Sequence, residues 1–335
     1  MTITNPALET IEPYLDADHL EAYRATEPAP LRADDLEGAV QVLRARSAAR
    51  QAGIVRAPRP AGVSAEDRAV PGPAGAPPVG VRVYRGARTP ASGAPALLWI
   101  HGGGMVMGDL DQSDAYCTDV AHTLGVLVVS VDYRVAPEHP FPAPVEDCYA
   151  ALLWLRRSAA DLGVDAARIA IGGSSAGAGL AAGLALIARD RGEVSVAYQH
   201  LIYPMLDDRC VTPSSHRIVD PRVWNRTSNL AGWNAYLAGR TGAEDVSPYA
   251  APARATDLAG LPATYIAVGT LDLFMDEDIE YARRLIAAGV RTELHVYPGV
   301  FHASPTYIPN AAVSKRWTAD QRAALGRNLG VSATE

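Results

Sequence analysis

From residue 97 onward the chain alternates between two textures. Short, nearly unbroken apolar runs occur at 96–100 (ALLWI), 126–133 (VLVVSVDY), 168–173 (RIAIGG), 198–204 (YQHLIYP), 264–269 (TYIAVG) and 292–298 (TELHVYP). Between them, stretches such as 146–163 and 275–289 repeat their apolar residues every three to four positions and end near glycine. The runs are too short for helices and read as strands buried on both faces; the periodic stretches read as amphipathic helices. Strand and helix in alternation predict an α/β fold with a mainly parallel central sheet and helices on both faces.

Two regions break this rhythm. Residues 1 to about 55 carry helical spacing: Leu36, Val40 and Leu43 fall on one face, with Asp34 or Asp35 as the candidate N-cap. Between 57 and 96 the chain is rich in Pro, Gly and Arg, and VGVRVYRG (79–86) alternates like a half-buried strand. The second break runs from Asp207 to Pro262, where Trp224, Trp233, Tyr236 and Tyr249 sit among prolines without strand patterning. It reads as an insertion over the sheet that joins the N-terminal helices as a cap. The expected organisation is a cap segment at 1–55 and a catalytic domain at 56–335 with a cap insertion at about 207–250.

Composition narrows the function classes. The 335 residues are 48% hydrophobic and 20% charged, with a formal charge of −7 spread along the chain. That balance argues against nucleic acid as a partner. Lys315 is the single lysine, and it follows Ser314 rather than a glycine, so a phosphate-binding Gly-Lys-Ser/Thr loop is absent. Cys117, Cys148 and Cys210 are few, odd in number and far apart, without disulfide or zinc spacing. No basic, apolar leader opens the chain and no run approaches the ~20 apolar residues of a membrane span. A cytoplasmic protein with no membrane association, metal or organic cofactor is expected.

The stretch AIGGSSAGAGLAAG (170–183) carries the chemistry. As a dinucleotide fingerprint, Gly177, Gly179 and Gly183 are spaced one residue too long, follow the wrong strand and lack the later acidic residue. As a nucleophile turn it fits. Gly173-Ser174-Ser175-Ala176-Gly177 fills Gly-x-Ser-x-Gly between a strand and a helix, where the positions two before and two after the serine must be tiny. Ser175 has glycines at both; Ser174 would have Gly172 and Ala176. A close-packed small-residue helix explains Gly179, Ala182 and Gly183, but not the bracketing pair.

WIHGGGMVMGD (99–109) follows the first long apolar strand. Three successive glycines leave bare backbone N–H groups able to converge on one oxygen, and the N–H of Ala176 adds another. His101 precedes these donors and is expected to organise the loop. A serine hydroxyl needs a base, and the base an orienting carboxylate. Such a turn resembles that of the α/β-hydrolases, and this resemblance implies that the two groups follow the serine in chain order, acid then histidine, each just past a strand. Asp272 follows TYIAVGTL and His302 follows TELHVYPGVF. His295 lies inside its strand; His19, His122, His139, His200 and His216 come too early. Asp276 is the rival acid.

With these residues in place, the chain resembles the hormone-sensitive-lipase-like carboxylesterases (bacterial family IV) of the α/β-hydrolase superfamily. The likeness runs from about Val81 to the C-terminus and rests on His101–Gly104, DYRVAPEHPFPAPVED (132–147), the Ser175 turn, LIYPMLD (201–207), GTLDLFMDE (269–277) and PGVFH (298–302). It implies an α/β-hydrolase fold, a catalytic triad of Ser175, Asp272 and His302, oxyanion donors from the amides of Gly102, Gly103 and Ala176, a helical cap, and a homodimer through an edge strand. It also implies scaffold roles for Arg134 and Glu138, as ion-paired residues. Two positions depart from the family pattern: Ser174 stands where Asp or Thr is usual, and Leu273 replaces the proline of Asp-Pro-Leu.

The expected activity is hydrolysis of a small ester with a short acyl chain, through an acyl-serine intermediate. Met105, Met107, Tyr203 and Trp224 are candidate substrate contacts; Trp233 and Tyr236 are further aromatics of the cap region, and core packing explains them equally well. The alternatives are an amidase or deacetylase on the same triad and a non-catalytic ligand receptor on the same scaffold.

Overall fold

The apolar runs pair into one sheet because each carries its backbone donors and acceptors into surroundings without water. A computed structural model describes residues 6–53 and 58–332. Its strands are β1 (Ser64–Val70), β2 (Val79–Arg85), β3 (Ala94–Ile100), β4 (Leu127–Asp132), β5 (Val164–Ser174), β6 (Tyr198–Ile202), β7 (Ala263–Leu271) and β8 (Thr292–Phe301). They form an eight-stranded sheet in the order β1-β2-β4-β3-β5-β6-β7-β8. The pairs β1–β2 and β2–β4 are antiparallel and all others parallel.

β1 departs from the pattern-based reading, which found no strand there. Its sequence SAEDRAV is exposed along most of its length and pairs only with β2. A polar edge strand is specified by backbone pairing and leaves no apolar period to read.

The helices are α1 (Leu20–Ala25), α2 (Leu36–Gly53), α3 (Asp114–Leu124), α4 (Ala143–Arg157), α5 (Ala176–Arg191), α6 (Pro213–Arg217), α7 (Arg226–Tyr236), α8 (Met275–Ala287), α9 (Ser304–Tyr307) and α10 (Ala312–Leu329). Alternate residues of β3 enter two cores. Ala96, Leu98 and Ile100 meet side chains of α4, α5 and α8; Leu97 and Trp99 meet those of α3 and α10. The period-2 alternation of strand side chains thus becomes a three-layer α/β/α sandwich.

The N-terminal segment lies against residues 207–262. Leu8 bridges Ile218, and buried Asp220 accepts hydrogen bonds from the Ile11 N–H (2.9 Å) and the Tyr23 hydroxyl (2.5 Å). α2 packs against α7. Asp35, not Asp34, caps α2, accepting the Gly38 N–H at 2.8 Å. The boundary expected at 55/56 lies outside the described residues. Trp233 and Tyr236 are fully buried in the core, which assigns them to packing.

Candidate active site

β5 runs into α5 with one residue between them, Ser175, at φ 57° and ψ −123°. This left-handed backbone is rare and strained for a residue with a side chain. The turn is this sharp because both bracketing glycines are needed. A Cβ on Gly173 would overlap Gly177, and one on Gly177 would overlap the carbonyls of Ile100 and His101 at the end of β3. The Ser175 N–H donates to the Ile202 carbonyl (2.8 Å), and its own carbonyl accepts from Gly179 (3.0 Å) and Met205 (3.2 Å). The hydroxyl is thereby held at the C-terminal edge of the sheet.

Asp272 and His302 stand one residue beyond β7 and β8, strands that are neighbours in the sheet. The His302 Nε2 lies 2.9 Å from the Ser175 Oγ, and the Nδ1 lies 2.7 Å from the Asp272 Oδ2. All three side chains are buried, Asp272 at 1% exposure. The second Asp272 oxygen accepts the Phe274 N–H at 3.1 Å, which leaves Oδ2 aimed at the imidazole. Asp276 is engaged elsewhere: its Oδ2 accepts the Ser214 N–H at 2.7 Å.

The imidazole is framed by aromatic rings. Tyr203 meets it edge-on at 4.7 Å, Phe274 edge-on at 5.2 Å, and Trp224 at 6.2 Å. Phe274 was not anticipated from the sequence; the signal was the departure from Asp-Pro-Leu, which places a ring two residues past the acid. Tyr203 is a buried residue at φ 39°, and its hydroxyl is 3.4 Å from the Thr306 hydroxyl.

The glycine loop faces the serine. A Cβ on Gly102 would fall 3.3 Å from the Ser175 Cβ. Among the described residues, no protein group accepts the N–H of Gly102 or Gly103. Ala176 is the first residue of α5, so its N–H has no intrahelical acceptor. Gly103 (φ 123°) closes a turn by accepting the N–H groups of Val106 and Met107, each at 3.1 Å. His101 lies behind the loop. It stacks on Tyr133 at 4.2 Å, with its Nδ1 2.8 Å from the Gly102 carbonyl, and burial lowers its pKa to about 4.

The candidate substrate contacts divide. Met105 is fully buried at φ 67°, within the core beneath the loop. Met107 and Trp224 are half-buried and pack against that core. Trp224 rests on Gly104, where a Cβ would overlap the indole. Arg134 and Glu138 are both ion-paired, Arg134 with Asp147 and Glu138 with Arg44. A rigid, buried serine–imidazole–carboxylate chain beside free amides is an arrangement suited to acyl transfer. Among the described residues no group of three or more His, Cys, Asp or Glu is arranged to hold a metal.

Residues 97–306 match the protein family described as alpha/beta hydrolase fold. The chain is 41% identical over 243 residues to the esterase LipI of Mycobacterium tuberculosis, covering 72% of this chain and 75% of that one. It is 35% identical over 224 residues to an ethyl acetate hydrolase of Pseudomonas putida, covering 66% and 70% respectively. Among solved structures, a bacterial heroin esterase superposes with a TM-score of 0.87 at 45% identity, covering 96% of this chain and 99% of that one.

Proposed function

This chain belongs to the hormone-sensitive-lipase-like carboxylesterases of the α/β-hydrolase superfamily, and from that premise we propose that it hydrolyses short-chain acyl esters with Ser175, His302 and Asp272 as its triad. It is a carboxylic ester hydrolase. The observation that carries the triad is the continuous hydrogen-bond chain from the Ser175 hydroxyl through His302 to Asp272.

The reaction divides into two displacements. As the Ser175 oxygen attacks the ester carbonyl, its proton passes to the His302 Nε2. The imidazolium so formed is stabilised by the Asp272 carboxylate on Nδ1. The carbonyl oxygen becomes an oxyanion facing the amides of Gly102, Gly103 and Ala176. Removing one such donor from an acyl-transfer enzyme costs about 100- to 1000-fold in rate. The intermediate collapses as His302 returns the proton to the leaving alkoxide, and an acyl-serine remains. Water then attacks the acyl carbon, giving its proton to His302, and collapse releases the acid and restores the serine.

Short acyl groups suit the enclosure. Trp224 lies directly over Gly104, and Tyr203 and Phe274 close the histidine side. The Pseudomonas putida relative is named for ethyl acetate, an ester of a two-carbon acid. The N-terminal helices and the 207–250 insertion form the cap over this end of the sheet. Among the described residues no helix is long and apolar enough to cross a membrane. Three buried, unpaired thiols suit a reducing cytoplasm. A homodimer would pair through an edge strand of the sheet, β1 or β8.

The test is a panel of p-nitrophenyl esters from acetate to decanoate, with matched anilides, run on the wild type and on Ser175→Ala. Turnover of acetate and butyrate that disappears in the variant supports the reading. Equal turnover by Ser175→Ala, or a preference for anilides, refutes it.

A further inference from the structure

The loop bearing Gly102 and Gly103 closes its own turn at the Gly103 carbonyl, and it is also held from outside. The carbonyls of residues 105 and 106 accept from donors elsewhere in the chain. The Met105 carbonyl accepts the Ala136 N–H at 2.9 Å. The Val106 carbonyl accepts from the Arg44 Nε at 2.7 Å. Arg44 belongs to α2, sixty-two residues earlier in the chain. The same guanidinium donates to the Ala136 carbonyl (2.8 Å) and to both oxygens of Glu138 (2.7 and 2.6 Å). Val106 also donates to Gly103, so Arg44 grips the turn that orients the Gly103 amide.

Other parts of the cap press on the same few atoms. Trp224 lies on Gly104, and a Cβ on Gly232 of α7 would fall 2.6 Å from the Gly104 carbonyl. α2 and α7 pack on each other. Glu138 fixes the plane of the guanidinium, and the pairing holds its carboxyl down at about 2, so this ion pair persists across the working pH range. An arginine fork reaching two carbonyls and a carboxylate at once is a geometric clamp, which a lysine point charge does not reproduce.

We propose that Arg44 is a positioning residue for acyl transfer: it carries the placement of the cap helix α2 to the oxyanion loop, so that the Gly102 and Gly103 amides converge on the developing oxyanion only when the cap is seated. This rests on the triad and oxyanion assignments above and adds a residue to them. Loss of the clamp leaves Ser175, His302 and the pocket in place, while the amides drift from the transition-state oxygen. Its effect therefore falls on kcat, with KM little changed.

The experiment uses full-length Arg44→Met, Arg44→Ala and Glu138→Gln, with p-nitrophenyl butyrate as substrate. Two inhibitors are compared: an alkyl trifluoromethyl ketone, whose carbonyl the serine attacks to form an oxyanion, and a simple alcohol that binds without one. In Arg44→Met, kcat is expected to fall about 10- to 100-fold with KM within about threefold. Ketone affinity should weaken by the same factor and alcohol affinity should hold. Millimolar methylguanidinium should restore part of the rate in Arg44→Ala but not in Arg44→Met, whose side chain fills the space. Folded Arg44→Met with kcat and ketone affinity within about twofold of wild type overturns the inference, as does a loss shared equally by KM and both inhibitors. If neither Arg44 variant folds, Glu138→Gln decides. It keeps the carbonyl bonds but loosens the fork, so a smaller drop in kcat and ketone affinity together is expected, and unchanged values overturn the inference. An inactive wild type, or an active Ser175→Ala, would instead end the assignment on which it stands.

Discussion

Asp276 and Ser214 hold each other by two hydrogen bonds: the carboxylate accepts the Ser214 N–H at 2.7 Å, and the Ser214 hydroxyl accepts the Asp276 N–H at 3.1 Å. The sequence offers two acids, four residues apart, as partners for the histidine, and this pairing separates them. Asp276 fastens α6 to the start of α8, while Asp272 faces His302. Asp272→Asn should lower kcat by about 10³- to 10⁴-fold, because the amide favours the wrong imidazole tautomer. Asp276→Asn should stay within about threefold of wild type in kcat and lose stability instead, by about 1 kcal/mol. Steady-state rates and thermal melts of the two variants decide it. The opposite ranking of rates would move the acid.

Gly177 has no room for a side chain beside the Ile100 and His101 carbonyls. Gly177→Ala must push β3 and α5 apart at the point that carries Ser175. Overpacking of this kind costs about 1–3 kcal/mol, so the melting temperature should fall by several degrees. The serine should also react more slowly with an active-site phosphonate. A variant that melts and labels like wild type would show that the turn tolerates more bulk than this geometry allows.

The candidate site is legible in the sequence where local constraint is strong. Gly173 and Gly177 have to be glycine beside Ser175, and the sequence displays that need directly. Asp272 and His302 are the candidates that the α/β-hydrolase chain order and their places just past strands single out, since a sheet delivers its parallel C-terminal edges to one rim. What stayed hidden depends on contacts between distant segments. Arg44 is one of three arginines on α2, and nothing near it in sequence points to the Val106 carbonyl. β1 carries no apolar period because only its backbone is used. Trp233 and Trp224 look alike in sequence, yet one is core and the other lies over Gly104.

Trp224 bounds the space above the oxyanion loop, half-buried, with its Nε1 3.4 Å from the Asn229 Oδ1. Trp224→Ala opens that space and removes one of the rings beside the His302 imidazole, while the Ser175–His302–Asp272 hydrogen bonds do not involve it. Each methylene newly accommodated contributes about 0.8 kcal/mol. Hexanoate should therefore gain about tenfold or more over acetate in kcat/KM, with acetate turnover little raised. An unchanged chain-length profile would place the acyl boundary elsewhere.

Asp278 is completely buried on α8, and among the described residues neither carboxyl oxygen has a hydrogen-bond partner. Burial, reinforced by the nearby Glu277 and Asp272 carboxyls, pushes its pKa well above the ordinary value. The folded protein therefore keeps this proton at pH values where the unfolded chain has released it. In acid, below the unfolded pKa, both states are protonated and Asp278→Asn should change stability little. As pH rises above that value the unfolded wild type gains from ionisation and the folded form does not, so the native state weakens. The asparagine variant escapes this penalty. Its advantage should grow with pH by at most ~1.4 kcal/mol per unit, equivalent to about 2–4 °C per kcal/mol in melting temperature, until the buried carboxyl itself ionises. Melts of both proteins from pH 4 to 8 measure the gap. A gap that is constant across that range, or largest in acid, would mean that Asp278 is ionised in the folded protein and paired with something this structure does not place beside it.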